Sequence, residues 1–163
     1  MRQFVTFYLG GDRYAIDILL SKEIGKIHDL TPVPEAPTYI VGLMNLRGQI
    51  LTVVNLQCFL EQNSETMFEE KKLIILKTES ELKNRRILTD VESMVKDPLA
   101  IIVDKMGDIL NVEPEEILPP PSHLTGAKRE FVSGVIQLEH QLIIVLEINQ
   151  LVRRCLQVET TVK

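Results

Sequence analysis

The feature that most restricts this chain is its apolar rhythm: hydrophobic residues recur with a period of two or in short blocks, and turn residues end each block. That rhythm suits strands, whose side chains alternate between two faces, and leaves little room for long helices. Val5, Phe7 and Leu9 alternate with Thr6 and Tyr8, and Gly10-Gly11-Asp12 then reads as a hairpin turn into a strand over residues 13–18. Residues 24–28 suit a short strand. They lead into Thr31-Pro32-Val33-Pro34-Glu35-Ala36-Pro37, where the prolines exclude both a helix interior and a central strand and predict a stiff, irregular link.

Residues 39–46 and 50–56 are predicted as two strands joined around Arg47-Gly48. A second group covers 73–77 and 99–104, with 108–112 as a partner strand, and Pro119-Pro120-Pro121 marks another irregular crossing. Residues 131–138 and 141–146 form a hairpin over Glu139-His140. From Glu147 onward Ile148, Leu151, Val152 and Leu156 recur at helical spacing, which predicts a short C-terminal helix. Many short strands, frequent turn signals and little helix imply an all-β, barrel-type architecture.

The stretch 78–98 breaks the rhythm. Ile87, Val91, Met94 and Val95 follow helical spacing there, and Pro98 would stop such a helix. A solvated loop or single surface helix is one reading of it; an added contact surface is the other.

Composition serves mainly to exclude. With 163 residues the chain fits one domain with a real core, and 45% hydrophobic residues exclude a mainly disordered protein. A net charge of −5 without a long run of Lys or Arg offers no footprint for nucleic acid or an anionic membrane. Five per cent aromatics and no Trp leave few platforms for base stacking. The apolar runs are too short to span a bilayer, and no signal-peptide apolar region precedes the first turn, so a soluble cytoplasmic protein without membrane insertion is expected.

Catalytic constellations are also missing from the sequence. Cys58 and Cys155 lack metal-ligand or CxxC spacing and read as packing thiols in a reducing cytosol. His28, His123 and His140 are scattered, with no partner at ligand spacing. Asp17, Asp104 and Glu147 sit where structural hydrogen bonding is the simpler role. Ser133-Gly134 lacks a nucleophile-elbow context, and there is no phosphate-binding loop. The expectation is therefore no enzyme, no cofactor and no metal.

The most informative run is Val41-Gly42-Leu43-Met44-Asn45-Leu46-Arg47-Gly48-Gln49-Ile50-Leu51-Thr52-Val53-Val54-Asn55-Leu56. Its apolar residues suit a strand pair and Gly48 a turn position with positive φ, so Arg47 would stand out from the sheet, available to a carboxylate. Upstream stand Tyr14-Ala15-Ile16-Asp17-Ile18-Leu19 and Lys22-Glu23-Ile24. Downstream come Ile102-Val103-Asp104, Leu118-Pro119-Pro120-Pro121, Ser133-Gly134-Val135 and Leu146-Glu147-Ile148-Asn149. In this order the series resembles the CheW domain across residues 4–156, with 157–163 as a tail. Thr52 stands where that family usually has Pro, Asn55 where Asp is usual, Gln57 where Arg is frequent, and Ala15 where Gly is usual. The stretch 78–98 is longer than the hairpin expected there.

The resemblance implies two small five-stranded β-barrels sharing an apolar core, with a C-terminal helix and no active site. One barrel would hold most of 13–60 and the other most of 73–118. It further implies a signalling adaptor that couples a chemoreceptor's cytoplasmic tip to the regulatory domain of a chemotaxis-type histidine kinase, with weak self-association in arrays. Glu23, Gly42, Asn45, Arg47 and Gly48 are the implied partner-binding residues, with Glu23 and Arg47 as a surface pair. Two alternatives share the fold: a regulatory domain separated from a histidine kinase, and an adaptor of a parallel chemosensory-type pathway. The start at Met1 and the lack of any ATP-binding segment favour a free-standing adaptor.

Overall fold

The computed structural model describes residues 1–58, 70–84, 95–122 and 127–161. The strands are β1 (Arg2–Leu9), β2 (Asp12–Asp17), β3 (Ser21–Lys26), β4 (Ile40–Leu46), β5 (Gln49–Asn55), β6 (Lys72–Leu76), β7 (Leu99–Val103), β8 (Lys105–Val112), β9 (Ile117–Leu118), β10 (Val132–Leu138) and β11 (Gln141–Leu146). The helices are α1 (Glu79–Asn84), α2 (Ala127–Glu130) and α3 (Ile148–Thr161). The mainly-β expectation holds, and the strand limits fall within a few residues of those read from the rhythm.

The strands form two sheets, ordered β8-β1-β2-β11-β10-β9 and β3-β6-β7-β5-β4. The first has six strands rather than five because the two-residue β9 joins its end. The expected division of the chain between barrels is corrected: the middle of the chain builds the five-stranded sheet, and both chain ends build the other. The joint is a parallel pairing of β11 with β2, Ile143 to Arg13 through Val145 to Ala15. A second parallel pairing, β5 with β7, lies inside the other sheet. Pairings this distant in sequence leave no local trace in composition or period.

Each sheet buries a cluster of its own, and a third cluster lies between them. Met44, Leu51, Val53, Leu73, Ile75, Ala100 and Ile102 fill one face of the five-stranded sheet. Phe4, Ala15, Val112, Ile136, Ile143 and Val145 do the same for the six-stranded sheet. Phe7, Ile16, Leu56, Ile74, Ile101 and Val103 meet in the shared cluster, where α3 adds Ile148, Leu151 and Val152. Strands β6 and β7 are thus covered on both faces, which is why they read as unbroken apolar blocks rather than alternations. Truncating Leu73, which is wholly buried, to Ala would cost about 2–5 kcal/mol.

Turn chemistry sets the hairpins. Gly10 and Gly11, at φ 58° and 88°, turn β1 into β2. Helix α3 follows the predicted spacing through Val152; the Leu156 side chain lies outside what is described. The helix expected around Ile87 to Met94 falls on residues outside the described set, while α1 starts earlier, at Glu79.

Candidate functional site

The β4–β5 hairpin closes with Leu46 opposite Gln49, leaving only Arg47 and Gly48 in the turn. Both have positive φ, 51° and 85°, the signature of a type I′ turn that matches strand twist. The Asn45 Oδ1 accepts a hydrogen bond from the Gly48 amide at 3.0 Å, so Asn45 fixes the turn from its first corner. Arg47 extends from this tip with 67% of its side chain exposed, and its Nη2 donates to Glu23 Oε2 at 2.5 Å.

Glu23 lies on β3, and β3 and β4 are the two opposite edges of the five-stranded sheet. The Glu23–Arg47 pair therefore ties those edges together at one end. A single bridge elsewhere on β4 pads the same edge, with Thr31 and Leu43 exchanging both backbone hydrogen bonds at 2.8 Å. Gly42 serves this bridge: a Cβ there would sit 2.7 Å from the Thr31 carbonyl oxygen. The register also shifts between Ile40 and Gly42, as at a bulge. Of the sequence-predicted residues, then, Glu23, Asn45, Arg47 and Gly48 converge on the hairpin tip, whereas Gly42 is buried away from it against the chain's own link.

A feature that sequence reasoning missed adjoins the pair. Ser21 faces Leu76 and Glu23 faces Ile75, so Lys22 is an extra, bulged residue of β3. Its Nζ lies 2.9 Å from Glu81 Oε2 on α1. Glu81 is itself locked in a reciprocal cap: its Oε1 accepts from the Thr78 amide at 3.1 Å, and its own amide donates to Thr78 Oγ1 at 3.3 Å. The Thr-x-x-Glu pattern at 78–81 is a capping-box signature and was readable from the chain.

These charges hold both carboxylates ionised. The hydrogen bond from Arg47 lowers the Glu23 pKa, outweighing the opposing effect of burial, with lesser help from the fields of Arg47 and Lys22. The same hydrogen bond raises that of Arg47. For Glu81 burial pushes upward, yet the hydrogen bonds from Lys22 and Thr78 outweigh it and leave the carboxyl below its ordinary value. Carboxylates biased toward the charged form are suited to binding cations, not to donating protons.

Lys22 and Glu23 border two concavities. One is a cleft of about 190 Å³ with Leu46, Leu51, Ile75 and Leu76 as its floor and Arg47, Gln49, Glu81 and Pro98 around it. The other is an open groove of about 600 Å³ between the facing edges of the two sheets, where β3 meets Val5, Met106, Gly107 and Ile109. The groove is largely apolar, and Ile24 and Ile109 stand exposed along it.

Among the described residues no group of three or more His, Cys, Asp or Glu is placed to hold a metal ion. His28 and His140 are exposed and apart, and His123 lies outside the described residues. Asp17 and Asp104 make the structural bonds expected of them, to the Leu19 amide at 2.9 Å and the Gly10 amide at 2.8 Å. No helix among the described residues is long and apolar enough to cross a membrane.

Comparison with known proteins gives a consistent result. The CheW-like domain profile matches residues 3–155. A chemotaxis protein CheW from Treponema pallidum is 34% identical over 149 residues, spanning 91% of this chain and 81% of that protein. One from Rhizobium meliloti is 28% identical over 148 residues, spanning 91% and 85%. The crystal structure of the scaffolding protein TtCheW from Thermoanaerobacter tengcongensis superposes with a TM-score of 0.73 at 24% identity, covering 91% of this chain and 85% of that one.

Proposed function

The chain belongs to the CheW-like domain family, and is a non-catalytic signalling adaptor between chemoreceptors and a chemotaxis-type histidine kinase; we propose that it holds its two partners on separate surfaces. The receptor's helical cytoplasmic tip lies along the groove between the sheet edges, next to the Arg47–Glu23 pair. The kinase's regulatory domain docks on strand surface elsewhere. The protein acts in the cytoplasm.

The observation that carries this reading is the position of β3. That edge strand lines an apolar groove on one hand and the ion-paired hairpin tip on the other, through the same two residues, Lys22 and Glu23. An amphipathic helix needs this combination, an apolar trough for its buried stripe and charged groups at the rim to set its register. Orientation is the role that suits Arg47, because an exposed pair of this kind contributes only about 0–1 kcal/mol to stability. Each contact is individually weak, and repetition in an array supplies the remaining avidity.

Co-sedimentation tests the coupling directly. Receptor-bearing membranes and the kinase are spun with and without this protein. The kinase should pellet with receptor only when the protein is present; equal recovery in its absence would remove the adaptor role.

A further inference from the structure

Helix α1 belongs to neither sheet, yet its place is fixed. Leu82 packs against the shared core, and the Glu79 amide donates to the Val95 carbonyl at 2.6 Å, so α1 is anchored at its start. The helix delivers Glu81 to the cleft beside Arg47, where Pro98 also stands, its carbonyl accepting from the Thr52 amide at 3.1 Å. Helix α1 is therefore a wall of that cleft.

The chemistry of the cleft is uneven. Its floor is aliphatic. Of its four charged side chains, Lys22, Glu23 and Glu81 are 33%, 31% and 34% exposed, and each is ion-paired. Arg47 is 67% exposed and spends one Nη2 contact on Glu23, while a guanidinium carries five N–H donors. The recognition capacity left at the mouth is thus a planar array of cationic donors above an apolar floor. That complements an aliphatic side chain with a carboxylate close by.

Building on the adaptor reading, we infer that α1 is a partner-selecting wall. Held by Lys22–Glu81, it shapes the cleft to take an aliphatic side chain of the receptor's helical tip whose neighbouring carboxylate, one helical turn away, bonds Arg47. An unpaired Glu81 would let the wall move and add a bare negative charge beside the incoming carboxylate.

The test titrates a receptor signalling-tip fragment from the same cell into wild type, Glu81→Gln and Lys22→Met. The kinase regulatory domain is the control titrant. Each change should weaken tip binding about fivefold or more, and kinase binding should not change. Converting tip carboxylates to amides one by one should reveal one whose loss weakens binding to wild type but not to Arg47→Ala. If Lys22→Met melts early, Glu81→Gln, whose amide oxygen still accepts from Thr78, carries the test. Wild-type affinity in both variants would overturn the inference and leave the adaptor standing. Concentration-dependent dimers that vanish in Glu81→Gln would give the cleft to a second copy and equally overturn it. Failure of wild type to bind any tip would sink both readings.

Discussion

Two hairpins of this protein turn on nearly the same backbone with different residues. The β1–β2 turn uses Gly10 and Gly11 at φ 58° and 88°, and the β4–β5 turn uses Arg47 and Gly48 at φ 51° and 85°. Left-handed backbone suits glycine and costs another L-residue about 1–2 kcal/mol. The first turn accepts the residue its geometry prefers and is tied inward: the Gly10 amide meets Asp104, which also holds Lys71. The second places a large cation in that strained position and sends it outward. On the proposed reading, the difference separates a turn that serves the fold from one that serves a partner.

The largest expected effect tests the inward turn. Lys71 is 9% exposed and its Nζ lies 2.9 Å from Asp104, itself 33% exposed. Asp104→Ala should cost about 3 kcal/mol, because it deletes a charged acceptor that takes hydrogen bonds from both Lys71 and the Gly10 amide. Chemical denaturation would measure it, and a loss under about 1 kcal/mol would deny the β1–β2 turn its structural role. Next in size is Gly42→Ala, at the base of the outward hairpin. Its Cβ would meet the Thr31 carbonyl at 2.7 Å, so about 1–3 kcal/mol should be lost, seen as a fall of several degrees in Tm. Unchanged melting would show that the link yields easily.

How much of this was legible in the sequence follows the range of the interactions. Strands came through because alternation and turn residues are local: Arg47-Gly48 and Gly10-Gly11 mark their hairpins outright. The sheet assignment did not, because β2 and β11 pair across most of the chain's length. The Glu23–Arg47 contact spans 24 positions and emerged from a family pattern, not from period or spacing. Gly42 was noticed, but the group that approaches it, the Thr31 carbonyl, lies in a proline-rich link whose path is set by tertiary packing. Lys22–Glu81 was missed although half its cause, the Thr78–Glu81 capping box, was written locally.

Arg47→Gly sharpens the comparison most directly, since it makes the outward turn a copy of the inward one. Relief of left-handed strain is offset by the greater freedom of glycine in the unfolded chain, so stability should move by less than about 1 kcal/mol. Ternary assembly with receptor and kinase should nevertheless weaken by about tenfold, with binary kinase binding unchanged. A thermal melt beside the sedimentation assay reads both. A large drop in Tm would make Arg47 structural, and normal assembly would leave it an ordinary turn residue.

The smallest effect is acid dependence at the outward turn. Glu23 has its pKa lowered in the folded protein, mainly by the Arg47 hydrogen bond. Its stabilisation is therefore fully present above the unfolded value of 4.5 and is lost as pH falls through the lower folded value. Nothing should change between neutral pH and 4.5, so the pair works at full strength across the physiological range. Wild type and Glu23→Gln should melt at slightly different temperatures near neutrality, and the two curves should converge as pH falls below the lowered folded value. The separation stays small because Arg47 is solvated and salt screens the pair. Receptor-tip binding should follow the same profile with a larger amplitude, since the partner excludes the water that weakens the pair in the free protein. Convergence at neutral instead of acid pH would mean that the pair does not form in solution, and the outward turn would then lose the contact that orients its arginine.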